Sequence, residues 1–318
     1  MKMAKLSNKP TKKNVVAIDY LGFIQKYFKV LDRESQLPVD FELNVVQKRY
    51  MENLVDDHGK IMDGVREIIL KARQQGFSSF ILALFTVDFL MRPYSVSICI
   101  SHRKDATELL FKKVKFYIES YVGAVSKETG VPAEELLKKI YKSENKGMIE
   151  NEQNNAMFYI GTAGTKVGGR GGSARNIHFS EAAFYQDTEQ ITAQEIILAT
   201  SQQVPQGKGM IFIESTANGE GNFYHEEWER AEGDSLGGSI YTPRFFGWQE
   251  FYSQEWVDEK RKEFPSDKMW KQEYPANPEE AFITSGSPYF DVAILNEMMN
   301  VKAVPLDYGR LAPDGHFI

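Results

Sequence analysis

From residue 67 to residue 214 the chain alternates short apolar runs with longer stretches of helical spacing, and this alternation narrows its possible folds more than any other feature. Residues 67–71, 95–100, 157–160, 176–179 and 210–214 read as strands. Residues 80–90 read as an apolar helix, 102–121 as an amphipathic one, 131–135 as the opening of a shorter one with Pro132 in its first turn, and 191–200 as another. Strands separated by helices predict an α/β fold, with a mostly parallel central sheet flanked by helices on both faces. Ligands of such sheets bind where the strands end at their carboxyl termini and the loops gather. Upstream, residues 18–31 and 45–54 also carry helical spacing.

The chain has 318 residues, enough for one large domain, and its 21 Phe and 15 Tyr can fill a substantial core. Its one cysteine, Cys99, lies in the apolar run 96–100, which predicts a buried thiol in a reducing interior. No apolar stretch approaches the roughly 20 residues of a membrane span. Residues 1–14 are polar and dotted with lysines, without the apolar core of a signal peptide, and read as an arm ahead of the first helix. The expected setting is a cytoplasm. A net charge of −6 does not advertise nucleic-acid binding, although Lys9, Lys12 and Lys13 form a local basic cluster and Lys112, Lys113 and Lys115 another.

Lys71-Ala-Arg-Gln-Gln-Gly-Phe-Ser-Ser79 joins the first of these strands to the apolar helix. A strand, a glycine turn and a helix start make an anion site, because backbone N–H groups converge and the helix dipole favours negative charge. Gly76 lets the backbone approach a phosphate, and Ser78 occupies the first helical turn, where phosphate-loop enzymes place the hydroxyl that ligates Mg2+. The segment departs from G-x-x-x-x-G-K-[ST]: Phe77 fills the lysine position and the first glycine is absent. A plain glycine turn between strand and helix accounts for the same residues. Lys71 and Arg73 favour the phosphate, since a lysine ending a buried strand costs desolvation unless an anion meets it.

Two further segments end strands in polar residues. Glu181 follows the strand 176–179 directly, where an ATPase needs a carboxylate to orient and deprotonate the attacking water. It is equally placed to cap the helical turn begun by Ala182 and Ala183. Arg170, among Gly168, Gly169, Gly171 and Gly172, lies on a glycine-rich loop able to reach a neighbouring subunit, with Arg175 as the alternative. Gly209-Met-Ile-Phe-Ile-Glu-Ser-Thr-Ala-Asn-Gly219 is a buried strand ending in small polar residues, which can sense a γ-phosphate or simply form a turn at Asn218-Gly219.

Taken in order, these segments resemble the large terminases, the DNA-packaging ATPases of tailed double-stranded DNA phages. Lys-Ala-Arg-Gln-x-Gly-x-Ser-Ser after an Ile-Ile-Leu strand looks like their deviant Walker A loop. Ser-Glu-Ala-Ala-Phe after a glycine-arginine loop looks like their catalytic segment, and Ser-Thr-Ala-Asn-Gly like their coupling motif. Phe41-Glu-Leu-Asn-Val-Val-Gln47 resembles their adenine-reading segment. Tyr274-Pro-Ala-Asn-Pro-Glu-Glu-Ala-Phe282 and Gly286-Ser-Pro-Tyr-Phe-Asp291 resemble the stretch that closes the domain. The resemblance covers residues 47–291.

It implies an ASCE-type P-loop NTPase that binds ATP and Mg2+. Lys71 and Arg73 would contact phosphate, with Gln74, Gln75, Gly76, Phe77, Ser78 and Ser79 forming the loop and Gln47 offering its amide to adenine. Glu181 would be the catalytic carboxylate, Arg170 the arginine finger in trans, and Thr216 and Asn218 the sensors. Ser78 and Ser180 would support the metal, although the general pattern has an Asp where Ser180 stands. The implied partners are double-stranded DNA, a portal protein, a small terminase subunit and further copies in a homo-oligomeric ring on the capsid in the host cytoplasm, with no membrane involved. The domains expected are an arm and lead-in helix (1–40), the ATPase (41–291) and a linker (292–318) toward a nuclease domain. No acidic triad is present, so no nuclease activity is expected of this chain. Another nucleic-acid translocase or helicase, or a structural adaptor with a decayed nucleotide site, remains the alternative.

Overall fold

The computed structural model describes residues 18–57, 59–145, 147–165, 172–233 and 238–282. The elements in chain order are α1 (Tyr20–Tyr27), β1 (Lys29–Leu31), β2 (Pro38–Asp40), α2 (Val45–Leu54), β3 (Val65–Lys71), α3 (Phe77–Met91), β4 (Val96–Ser101) and α4 (Lys104–Thr129). They continue with α5 (Ala133–Ile140), β5 (Tyr141–Asn145), β6 (Met148–Asn151), β7 (Met157–Thr162), β8 (Asn176–Ser180), α6 (Ala193–Ser201) and β9 (Met210–Ser215). The last are α7 (Phe223–Glu232), β10 (Thr242–Phe246), α8 (Gln254–Arg261), α9 (Asp267–Glu273) and α10 (Pro278–Ala281).

An eight-stranded sheet in the order β10-β3-β9-β8-β4-β7-β6-β5 forms the centre. The strands from β10 through β7 are all parallel, and β6 and β5 add an antiparallel hairpin at one edge. The expected mostly parallel α/β sheet is therefore present. Period-two alternation divides its apolar residues between two cores. Ile69, Cys99, Phe158, Met210 and Phe212 face α1 to α5, while Ile68, Leu70, Ile98, Ile100, Ile177, Phe179, Ile211 and Ile213 face the side of α6, α7 and α10. Helix α3 is apolar all round because it is covered all round, with every residue from Phe80 to Phe89 buried. Cys99 is buried as expected, and burial raises its thiol pKa.

Several elements differ from the reading of the sequence, among them the hairpin β5–β6 and helices α7 to α10, which it did not include, the first helix and strand β10. The first helix stops at Tyr27, not residue 31, because Phe28 turns extended and Lys29–Leu31 pairs with Pro38–Asp40 in a small hairpin. Helix α1 then packs into the main core, with the Tyr20 hydroxyl donating to buried Asp88 at 2.6 Å. Strand β10 was not expected, since it is short and contains Pro243. It is an edge strand, where a missing N–H is tolerated. Residues 1–17 and 283–318, including the 292–318 linker, lie outside the described residues. Among the described residues, no helix is long and apolar enough to cross a membrane.

Candidate active site

Strands β3, β9 and β8 lie side by side, and their carboxyl ends bring Lys71, Glu214 and Glu181 together below the start of α3. The turn into α3 depends on Gly76, which has φ +81° and lies so close to α2 that an added Cβ would come within 2.6 Å of Gln47 Nε2. Asn44 and Gln47 brace it: Asn44 Nδ2 donates to the Gln75 carbonyl at 3.0 Å and Gln47 Nε2 to the Gly76 carbonyl at 2.9 Å. Gln47 Oε1 meanwhile accepts from the Asn44 N–H in a capping box. In this conformation Gln47 thus spends its amide on the loop and the helix cap instead of offering it to a base.

Lys71 is almost fully buried, with its ammonium 3.0 Å from Glu181 Oε1 and 3.1 Å from Glu214 Oε2. Burial alone would lower its pKa, but the attraction of both carboxylates outweighs that and holds it above the usual lysine value. Glu181 has φ +53°, an unusual conformation for a residue with a side chain, and its carboxylate makes no cap to the short helical turn Ala182–Phe184. That excludes the capping role. Instead Glu181 Oε2 accepts from Ser215 Oγ at 3.3 Å and from the Thr216 N–H at 3.2 Å. Asn218 Nδ2 donates to the Ala183 carbonyl at 3.1 Å, tying the end of β9 to the segment that carries Glu181.

Glu214 was not singled out from the sequence, yet it is the hub of the site. Its side chain is 0% exposed. Oε1 accepts from Ser78 Oγ at 2.5 Å and from Ser180 Oγ at 3.1 Å, and His178 Nε2 sits 3.2 Å away. Burial pushes its pKa up, and Lys71, His178 and Ser78 together more than reverse that, leaving it well below the usual carboxylate range. A charged residue ending the run Met-Ile-Phe-Ile was the signal available, by the same reasoning that singled out Lys71.

The other expected residues are spread over several places. Lys71, Arg73, Gln74, Gln75, Gly76, Ser78, Ser79, Glu181 and Thr216 border one cleft of about 540 Å3. Arg73 sits at its rim, paired with Glu273 at 2.8 Å. Phe77 also borders that cleft, but its ring is buried between Tyr50 and Phe246, at centroid distances of 5.3 and 4.6 Å. The lysine position of an ordinary phosphate loop has thus become part of the core. Arg170 and its flanking glycines up to Gly171 lie outside the described residues. Arg175, the alternative finger, stands at the amino end of the sheet, away from Glu181, where it pairs with Asp63 at 2.9 Å and Asp88 at 3.2 Å. The pair with Asp88 ties the start of β8 to α3.

Lys113 on α4, from the second basic cluster, also reaches the cleft and donates to Ser79 Oγ at 2.8 Å. Trp256 and Trp270 are packing residues, each stacked on a tyrosine: Trp256 on Tyr252 at 3.9 Å and Trp270 on Tyr274 at 4.6 Å. That cluster includes Ala72 and so supports the start of the loop from below.

The donor set fits Mg2+. Ser78 and Ser180 offer hard hydroxyl oxygens, and Glu214 Oε2 is a buried carboxylate oxygen with no hydrogen-bond partner, its contact with Lys71 being ionic. Among the described residues no three His, Cys, Asp or Glu side chains form a ready metal cage. Mg2+ is typically held by few protein ligands together with phosphates and waters.

Among solved structures, the HK97 bacteriophage large terminase superimposes with a TM-score of 0.56 over 81% of this chain, at 13% identity. The two share a fold. This chain spans 54% of the HK97 protein. The large terminase ATPase domain of Thermus phage P74-26 is also similar, at 17% identity, with a TM-score of 0.45, covering 69% of this chain and 88% of that domain. No protein-family model and no curated protein matches the sequence.

Proposed function

We propose that this chain is the ATP-hydrolysing motor of a phage DNA-packaging machine of the large terminase type. The observation that carries this is the buried cluster of Lys71, Glu181, Glu214 and Ser78, at the strand ends and glycine turn where a phosphate would bind, on a fold shared with the HK97 large terminase.

The phosphates of ATP would lie over the turn at residues 74–79, against the amino end of α3. Lys71 then exchanges the Glu181 carboxylate for phosphate oxygen. Releasing Glu181 leaves its Oε2 held by Ser215 and Thr216 and its Oε1 free to take a proton from the attacking water. Nucleotide entry is thereby linked to activation of the base: before phosphate arrives, the ion pair holds Glu181 back. Thr216 and Asn218 connect Glu181 to the end of β9, so loss of the γ-phosphate can be passed into the following segment. Arg73, at the rim, would leave Glu273 for the phosphate. Ser78 and Ser180 would hold Mg2+, which supplies charge stabilisation at the phosphate oxygens. Arg170 would complete a neighbour's site within a ring on the capsid portal. Double-stranded DNA, portal protein and small terminase subunit are the partners this role requires, in the host cytoplasm.

Binding of a non-hydrolysable ATP analogue tests this, with the intact chain set against Lys71→Ala. Binding by the wild type that is lost in the variant is the expected result. No binding by the wild type would leave the structural adaptor as the better description.

A further inference from the structure

We propose that Glu214 supplies the carboxylate of the divalent-cation site, acting from β9 in place of the acidic residue that β8 lacks at Ser180. The inference rests on the nucleotide-site reading and specifies what Glu214 does within it.

Register brings the two positions together. Strands β8 and β9 are parallel neighbours, and Ser180 is the direct partner of Glu214. Their side chains therefore leave the sheet on the same face, the one covered by α3. A carboxylate moved sideways by one strand still reaches the space beside Ser78.

Hydrogen bonding shows what it does there. A serine hydroxyl binds a metal through its lone pairs, so its proton must point elsewhere. Glu214 Oε1 takes the proton of Ser78 Oγ at 2.5 Å and that of Ser180 Oγ at 3.1 Å. One buried oxygen thus turns both hydroxyls into oriented donors before any cation arrives. His178, 3.2 Å from the same oxygen and 3.6 Å from Cys99 Sγ through its other nitrogen, keeps the carboxylate from rotating.

Charge gives the third argument. Two carboxylates, Glu181 and Glu214, share the single ammonium of Lys71. Glu181 is partly open to solvent, but Glu214 is not. Once Lys71 also pairs with phosphate, it neutralises Glu214 less fully, and a buried carboxylate with a weakened ion pair is costly unless another cation makes up the difference. The divalent ion that accompanies the phosphates is that cation. Glu214 is a positioning residue: it orients Ser78 and Ser180 and balances the charge of the ion they hold.

The test measures how far Mn2+ tightens binding of a non-hydrolysable ATP analogue to the intact chain, relative to binding in EDTA, with bound Mn2+ counted by electron paramagnetic resonance. Glu214→Gln is expected to shrink that metal-dependent gain by on the order of 10–100-fold, the usual effect of losing an outer carboxylate. Ser180→Asp combined with Glu214→Gln, which moves the charge back to β8, is expected to recover most of it. If Glu214 only held Lys71 in place, the double variant would recover nothing, and that result overturns the proposal. A Glu214→Gln protein with a wild-type metal response overturns it as well. Should Glu214→Gln fail to fold, Glu214→Asp keeps the charge and withdraws it by one methylene, and an undiminished Mn2+ response there is equally fatal. Wild-type protein that binds no nucleotide, with or without metal, instead removes the nucleotide site itself and the metal assignment with it.

Discussion

Helix α3 passes a buried carboxylate near each end, and the two are furnished differently. At its carboxyl end Asp88 is saturated. Oδ1 accepts from the Tyr20 hydroxyl at 2.6 Å and Arg92 Nε at 2.9 Å, and Oδ2 from Asn176 Nδ2 at 2.8 Å and Arg175 Nε at 3.2 Å. At its amino end Glu214 and Glu181 divide one lysine, and Glu214 Oε2 has no hydrogen-bond partner. A saturated buried charge joins elements of the fold, here α1, α3 and β8. A buried charge with one lone pair open and a shared counter-ion is held ready for something that arrives later. Burial alone would not have separated them, because both side chains are fully enclosed.

If that division is right, substitutions at the two ends should fail in different ways. Glu181→Gln should lower ATP turnover by at least ~10²–10⁴-fold, the contribution of a positioned general base, while leaving analogue binding and the unfolding midpoint close to wild type. A loss of binding equal to the loss of turnover would remove its role as base. Asp88→Ala should do the opposite. It leaves Arg92 and Arg175 without their buried partner, at a cost of about 3–5 kcal/mol in urea unfolding, and whatever protein remains folded should still bind nucleotide. If this variant stays stable yet loses nucleotide, the two ends are not independent.

Gly76→Ala should cost about 1–3 kcal/mol, from the positive φ and the clash with Gln47. It should also weaken nucleotide binding, since the strain falls on the loop itself; wild-type affinity would show that the turn does not form the phosphate site. The smallest change in stability belongs to Arg73→Ala. Its pair with Glu273 is 55% exposed on the arginine side and worth at most about 1 kcal/mol in folding. Nucleotide affinity should nevertheless drop about tenfold or more if Arg73 turns to phosphate, as expected for a charged hydrogen bond. Equal affinity in isothermal titration would leave Arg73 as a loop support alone.

The sequence by itself determined the layered α/β fold, because apolar runs of strand length alternating with helical spacing leave few other ways to bury that surface. It also determined the phosphate-like turn, since Gly76 between strand and helix is a local requirement, and it marked Lys71 as a charge needing a partner. What it left open at Glu181 was decided by tertiary structure: only the folded chain sets Ser215 and Thr216 against that carboxylate and leaves the following turn without a side-chain cap. The same holds for Phe77, whose ring could be assigned to the core only once α2 and β10 were seen to enclose it. Arg175 and Asp88, 87 positions apart, met in the same way. Glu214 is the clearest case. Its place depends on β9 lying beside both β3 and β8, a pairing between segments more than thirty residues apart in sequence. Local sequence fixes conformation through nearest neighbours, whereas a shared lysine or a carboxylate supplied from the adjacent strand exists only when register brings distant side chains to the same face of the sheet.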